Sequence, residues 1–188
     1  MTVAIGAAVP RSGSPGRIED DEPLFEIIDG QRVECVPMSI LASRVSSNLQ
    51  VHLGHHLLGN PVGEALVETL FRLPLPVDRN RRPDVAFVSA QTIAQAPPQP
   101  GSDNAWAVLP ELMVEVVSPS DLAEDIIERL NEYFAAGTKL VWIVYPTQRL
   151  LYVYESPRQV RILGAADDLD GGVVLPSFRI AIKSLFPA

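Results

Sequence analysis

One cysteine, Cys35, in 188 residues leaves no internal disulfide to form, so this is not a disulfide-stapled secreted scaffold. The scarcity fits a reducing compartment, and we expect a cytoplasmic protein. No apolar run approaches the ~20 residues that a bilayer span requires. The opening MTVAIGAAV is apolar, but no basic residue precedes it and PRSGSPG follows at once, so we expect no signal peptide and no membrane association. Basic residues are outnumbered as well. Fifteen Lys and Arg against 23 Asp and Glu give a net charge of −8, which argues against a general nucleic-acid binder with a broad basic face. It does not exclude a local basic cleft, since Arg72, Arg79, Arg81 and Arg82 lie close together in the chain. A solvated connector between strands is the plainer reading of those arginines.

What is present is a core. The hydrophobic fraction is 47%, ordinary for a globular chain, and the length fits one domain of the usual ~100–200 residues. Residues 1–22 are rich in Gly, Pro and Ser and end in an acidic run. Such a composition buries too little apolar surface to order itself, and we expect a flexible tail followed by a domain over 23–188. Asp29-Gly30 sits between two short β-prone runs, a strong hairpin signal. From Ser39 to Leu58 the period turns helical, with Leu41, Val45, Leu49, Leu53 and Leu57 about four apart. GEALVETLFRLPLPV reads as a strand broken by Pro74 and Pro76, and AQAPPQPGSDNAWAVLP as a long loop. Near the other end, KLVWIVYP and RLLYVYE read as an antiparallel hairpin around Thr147-Gln148, and LPSFRIAIKSLFP closes the core.

Two stretches carry chemistry. In RRPDVAFVS, Asp84 opens an apolar strand, and a carboxylate there is costly unless a cation, a metal or hydrogen bonds meet it. In ELMVEVVSPSD, Glu115 interrupts an apolar run of the kind buried on both faces of a sheet. Ionised carboxylates are almost never fully buried without a partner. Glu115 therefore pairs with an arginine for structure, lies on an exposed edge, or is a metal ligand or general base on a rigid strand. SPSD then starts a helix, with Asp121 and Glu124 in capping-box spacing and Gly137 as its stop. On that helix Leu122, Ile126, Leu130, Tyr133 and Phe134 fill one arc. Asp125 and Arg129, at its edge, either pair with each other or bring Arg129 towards Glu115. His52, His55 and His56 lie in HLGHH, but Leu53 stands where a zinc-protease helix carries glutamate. They read as solvent-side histidines, and Cys35 as a small strand residue.

Hairpin with DG, helix, PD opening a strand, VEVVSPS, a helix with D-x-x-x-R-x-x-x-Y, then GTKLVWIVYP: in this order the motifs from Leu24 to Phe186 resemble the Uma2 family. The resemblance implies an α/β (α+β) fold of the restriction-endonuclease-like, PD-(D/E)xK type, a mixed β-sheet flanked by helices with an N-terminal β-hairpin. It implies a bacterial, Mg²⁺- or Mn²⁺-dependent DNA endonuclease acting as a homodimer. Asp84, Glu115 and the backbone carbonyl of Val116 would hold the metal, Arg129 would be catalytic, and Arg79, Arg81 and Arg82 would contact the nucleic-acid backbone. Three positions depart from the family pattern: Arg129 replaces the helix lysine, Arg44 a histidine of the first long helix, and Tyr145 the acid of WIVDP. The alternative is a catalytically inactive relative that keeps the fold as a nucleic-acid-binding or assembly module.

Overall fold

The computed structural model describes residues 23–97 and 105–187; the tail expected over 1–22 lies outside them. Strands β1 (Phe25–Ile28) and β2 (Gln31–Glu34) pair antiparallel with Ile28 opposite Gln31. Asp29 and Gly30 between them have φ of 51° and 75°, the left-handed pair that a two-residue type I′ hairpin needs. This hairpin does not join the main sheet. It pairs through β1 with β5 (Arg79–Arg81), which pairs with β4 (Phe71–Arg72), giving a small sheet ordered β2-β1-β5-β4.

The main sheet contains β3 (Gly63–Val67), β6 (Val85–Ser89), β7 (Leu112–Val116), β8 (Leu140–Tyr145), β9 (Leu150–Ser156) and β10 (Gln159–Leu163). Its order is β10-β9-β8-β7-β6-β3. Only the β7–β8 pair is parallel, because a helix crosses over between those two strands while the other neighbours run antiparallel. Every residue of β7 is buried, as its apolar run implies. Helix α1 (Ile40–Gly59) starts where Ser39 Oγ accepts from the Ala42 N–H at 3.2 Å. It lays Ala42, Val45, Leu49 and Leu53 over Phe87, Val114 and Trp142 on one face of the sheet. On the other face, α3 (Ala123–Ala136) covers Met113, Val141 and Ile143 with Ile126, Leu130 and Tyr133. Gly137, at φ 105°, ends α3, and Thr138 N–H returns to Tyr133 O at 3.0 Å. A last hairpin, β11 (Asp168–Gly171) and β12 (Leu175–Ala181), brings Leu175 and Phe178 into the α1-side core, as its apolar sequence predicts.

Three expectations differ from what forms. GEALVETLFRLPLPV breaks at Glu68, not at the prolines: Glu68 takes φ 43° and its N–H reaches Asp84 O at 3.2 Å, so the chain leaves the main sheet for the small one. Helix α2 (Ala90–Gln95), capped by Ser89, runs two residues into the stretch expected to be loop from Ala94. Asp121 does not cap α3. Its Oδ2 accepts from Ser118 N–H at 2.7 Å, tightening the SPSD turn, and Leu122 stands at the N-cap without a side-chain bond.

Candidate active site

The antiparallel register of β6 on β7 pairs Val85 with Val114 and Ala86 with Met113. One step further along that ladder, Asp84 comes beside Glu115, on the face that α3 covers. Asp84 Oδ2 accepts the Val116 N–H at 2.5 Å, and Oδ1 has no hydrogen bond among the described residues. Glu115 is 6% exposed. Its Oε1 accepts the Tyr133 hydroxyl, and its Oε2 lies 3.4 Å from Arg129 Nη1. Both partners come from α3, so the crossover helix sets the glutamate's orientation.

The two acids strain against each other electrostatically. Burial and then the neighbouring Glu115 charge push the Asp84 carboxyl up to about 8, against the Val116 N–H and Arg129. Burial also raises Glu115, with Arg129 and Tyr133 opposing.

A third acid, not singled out from the sequence, completes the centre. Glu26 on β1 is 2% exposed. Its Oε1 accepts from Arg82 N–H at 2.8 Å and from Arg129 Nη1 at 3.2 Å, and its Oε2 from Arg81 Nη1 at 2.9 Å. Arg81 Nε donates to Glu132 Oε2 on α3 at 2.6 Å. Arg79 lies 3.1 Å from both Asp29 Oδ1 and Glu132 Oε1, and Arg82 donates to the carbonyls of Phe25 and Glu68. Of the arginines before Asp84, Arg79 and Arg81 are buried and turn their charged heads inward, binding hairpin, β5 and α3 together, whereas Arg82 is half-buried at the cavity and Arg72 is exposed. The signal for Glu26 was those arginines themselves, since buried guanidinium groups require acids.

Between the hairpin and the start of α3 opens a cavity of about 500 Å³, lined by Asp84, Glu115, Val116, Glu26, Arg129 and Cys35 among others. Cys35 is half-buried, just beyond β2, and burial followed by the Glu26 charge pushes its thiol up to about 11. It is a poor nucleophile at neutral pH.

The Uma2 model, described as "putative restriction endonuclease", matches residues 15–183. The chain belongs to the Uma2 family. A crystal structure of a "putative nuclease belonging to DUF820" from Anabaena variabilis ATCC 29413 matches with a TM-score of 0.74, at 17% identity, covering 87% of this chain and 90% of that one. At that identity the likeness establishes a shared fold, and it is the mixed sheet flanked by helices that the motifs imply. No curated protein matches the sequence.

Against the Uma2 pattern, the helix position usually held by lysine is filled by a guanidinium that reaches Glu115. The chain's two lysines, Lys139 and Lys183, are both exposed and neither lines the cavity. Arg129 makes its ion pairs with Glu26 and Glu115, and none with Asp125. Arg44 is exposed on α1, and Tyr145 packs on Tyr152 with ring centroids 4.9 Å apart; neither lines the cavity. His52 Nε2 meets Ser184 Oγ at 3.0 Å and His56 lies edge-on to Phe178, while His55 is exposed.

Among the described residues, no three His, Cys, Asp or Glu side chains are arranged to hold a metal. What the centre offers is a pair of carboxylates, one oxygen of which lacks a partner, beside the Val116 main chain. That all-oxygen set, with its mutual repulsion, fits a hard divalent cation provided that Arg129 yields at Glu115.

Proposed function

We propose that this Uma2 protein is a Mg²⁺- or Mn²⁺-dependent DNA endonuclease whose centre is Asp84 and Glu115. The observation that carries the reading is the carboxylate pair itself, half-buried Asp84 at the mouth of β6 beside buried Glu115 on β7, with no hydrogen bond to Asp84 Oδ1 among the described residues. Asp84, Glu115 and the Val116 carbonyl would be the ligands. A divalent ion bound there would supply the acidification of water and the neutralisation of phosphate charge that phosphodiester hydrolysis needs. Tyr133, through its hydroxyl, holds Glu115 in place, and the Val116 N–H does the same for Asp84. Arg129 supplies the cation that faces the scissile phosphate as charge develops on it. Two copies acting together would bring two such centres to the two strands of a duplex, and a homodimer is the form we propose.

A second reading has its own observation. Arg129 already fills the counter-ion's place at Glu115, so the centre is stable as a closed ion-pair network, as a non-catalytic binding or assembly module would need. Thermal melts separate the two. Ligand binding to the folded state raises the melting temperature, so Mn²⁺ should raise it in wild type, with most of the rise absent in Asp84→Asn and Glu115→Gln. The same preparations should nick supercoiled plasmid only as wild type. An equal metal response in all three, with no nicking, supports the module.

A further inference from the structure

We infer that Glu26 is a positioning residue for this centre: it takes over Arg129 when Glu115 is given up to a divalent cation. The inference rests on Asp84 and Glu115 being the ligands. One nitrogen, Arg129 Nη1, is shared between Glu26 Oε1 at 3.2 Å and Glu115 Oε2 at 3.4 Å. The other oxygen of Glu115, Oε1, already accepts the Tyr133 hydroxyl. A cation approaching Oε2 therefore meets a guanidinium already there. Arginine does not give up its proton at any useful pH, so Arg129 leaves Glu115 only by moving.

Where it moves depends on what stays beside it. Arg129 is half-buried, with 26% of its side chain exposed, so leaving Glu115 costs least where a second, buried carboxylate still holds it. Glu26 already touches the same nitrogen, from the hairpin that forms part of the cavity wall. Its carboxylate is held still by Arg81 Nη1 at 2.9 Å and the Arg82 N–H at 2.8 Å. It can keep Arg129 while Glu115 Oε2 is released. With both its oxygens engaged on that wall, Glu26 is a partner for Arg129 and not a further ligand.

A purely structural Glu26 would only fasten the hairpin to Arg81, and its loss would change stability and nothing at the cation. The deciding measurement is Mn²⁺ affinity of the full chain, read from the free-ion electron paramagnetic resonance signal. It is made on wild type, Glu26→Gln, Glu26→Asp, Arg129→Ala, and each Glu26 variant combined with Arg129→Ala. Circular dichroism confirms the fold, and Asp84→Asn serves as the site control. Glu26→Asp keeps the charge but withdraws it by one methylene, which separates position from charge. Both Glu26 variants should weaken Mn²⁺ binding on the order of tenfold, as loss of a group behind a metal ligand does. Arg129→Ala should tighten it, and on that background Glu26→Asp should have no effect. Equal weakening by Glu26→Asp with and without Arg129, or none in either, overturns the inference while leaving the metal centre standing. No Mn²⁺ binding by wild type, or full binding by Asp84→Asn, overturns the centre and the inference together.

Discussion

Asp84 and Glu115 were legible from residue type alone, since an acid inside an apolar strand demands a partner. Glu26 was not, because one acid in a short hairpin strand looks like the exposed half of an alternating pattern until β5 is laid beside it. The raised Asp84 carboxyl has a consequence for stability. Its pKa goes from the ordinary 3.8 to about 8 on folding, so between those values the folded state binds more protons than the unfolded chain. Its contribution is fully present below the unfolded value and is lost as pH rises towards 8. In EDTA, Asp84→Asn should therefore gain stability relative to wild type as pH rises from 4 to 8 in a series of thermal melts. A constant difference across that range would mean that Asp84 is ionised throughout. Arg129 can be tested at the same scale. Lysine is a compact charge with a movable proton and arginine a permanent planar cation, so Arg129→Lys should increase plasmid nicking in Mg²⁺. Arg129→Ala should lower it, on the order of 10²-fold if the cation stabilises transition-state charge. Undiminished cleavage by Arg129→Ala would reduce the residue to an ion-pair partner.

Elements repeat the contrast. The Asp29-Gly30 hairpin, α1 with its Ser39 cap, the buried β7 and the β8–β9 pair all follow from patterns that act over a few neighbouring residues. The small sheet does not, because β4 and β5 contain two and three residues and are held by pairing with β1, with each other and, at Phe71, with Trp106. Arg81, which is 2% exposed, joins Glu26 on β1 to Glu132 on α3 and so fastens that sheet to the rest, alongside the Arg79–Glu132 and Arg129–Glu26 pairs. Arg81→Ala would leave the Glu26 carboxylate buried without its main counter-ion, and removing one partner of a buried pair typically costs ~3–5 kcal/mol. The exposed Arg161–Asp170 pair, at 3.1 Å, offers the comparison, since such pairs contribute at most about 1 kcal/mol. Urea unfolding should show Arg81→Ala far less stable than Arg161→Ala, and similar midpoints would mean that the hairpin is held by its backbone pairing alone.

For the whole molecule, net charge and family point in opposite directions, and the cavity locates the conflict. Eight acidic residues and three arginines line it, and one of those arginines, Arg81, is buried in ion pairs with Glu26 and Glu132. A polyphosphate backbone entering this cleft meets a negative field, where duplex binders ordinarily present cations that displace the counter-ions of the nucleic acid. Divalent ions would then be needed to seat the substrate as well as to cleave it. Anisotropy of a labelled oligonucleotide should accordingly show little binding in EDTA and clear binding once Mg²⁺ or Mn²⁺ is added. Asp84→Asn should lose most of that metal-dependent part. Charge reversal at the rim separates this from a remote basic surface: Asp125→Lys and Glu128→Lys, both on the exposed start of α3, should strengthen binding without metal. Tight binding in EDTA, unaffected by either reversal, would place the nucleic-acid surface elsewhere and leave this acidic cavity without a duplex to cut.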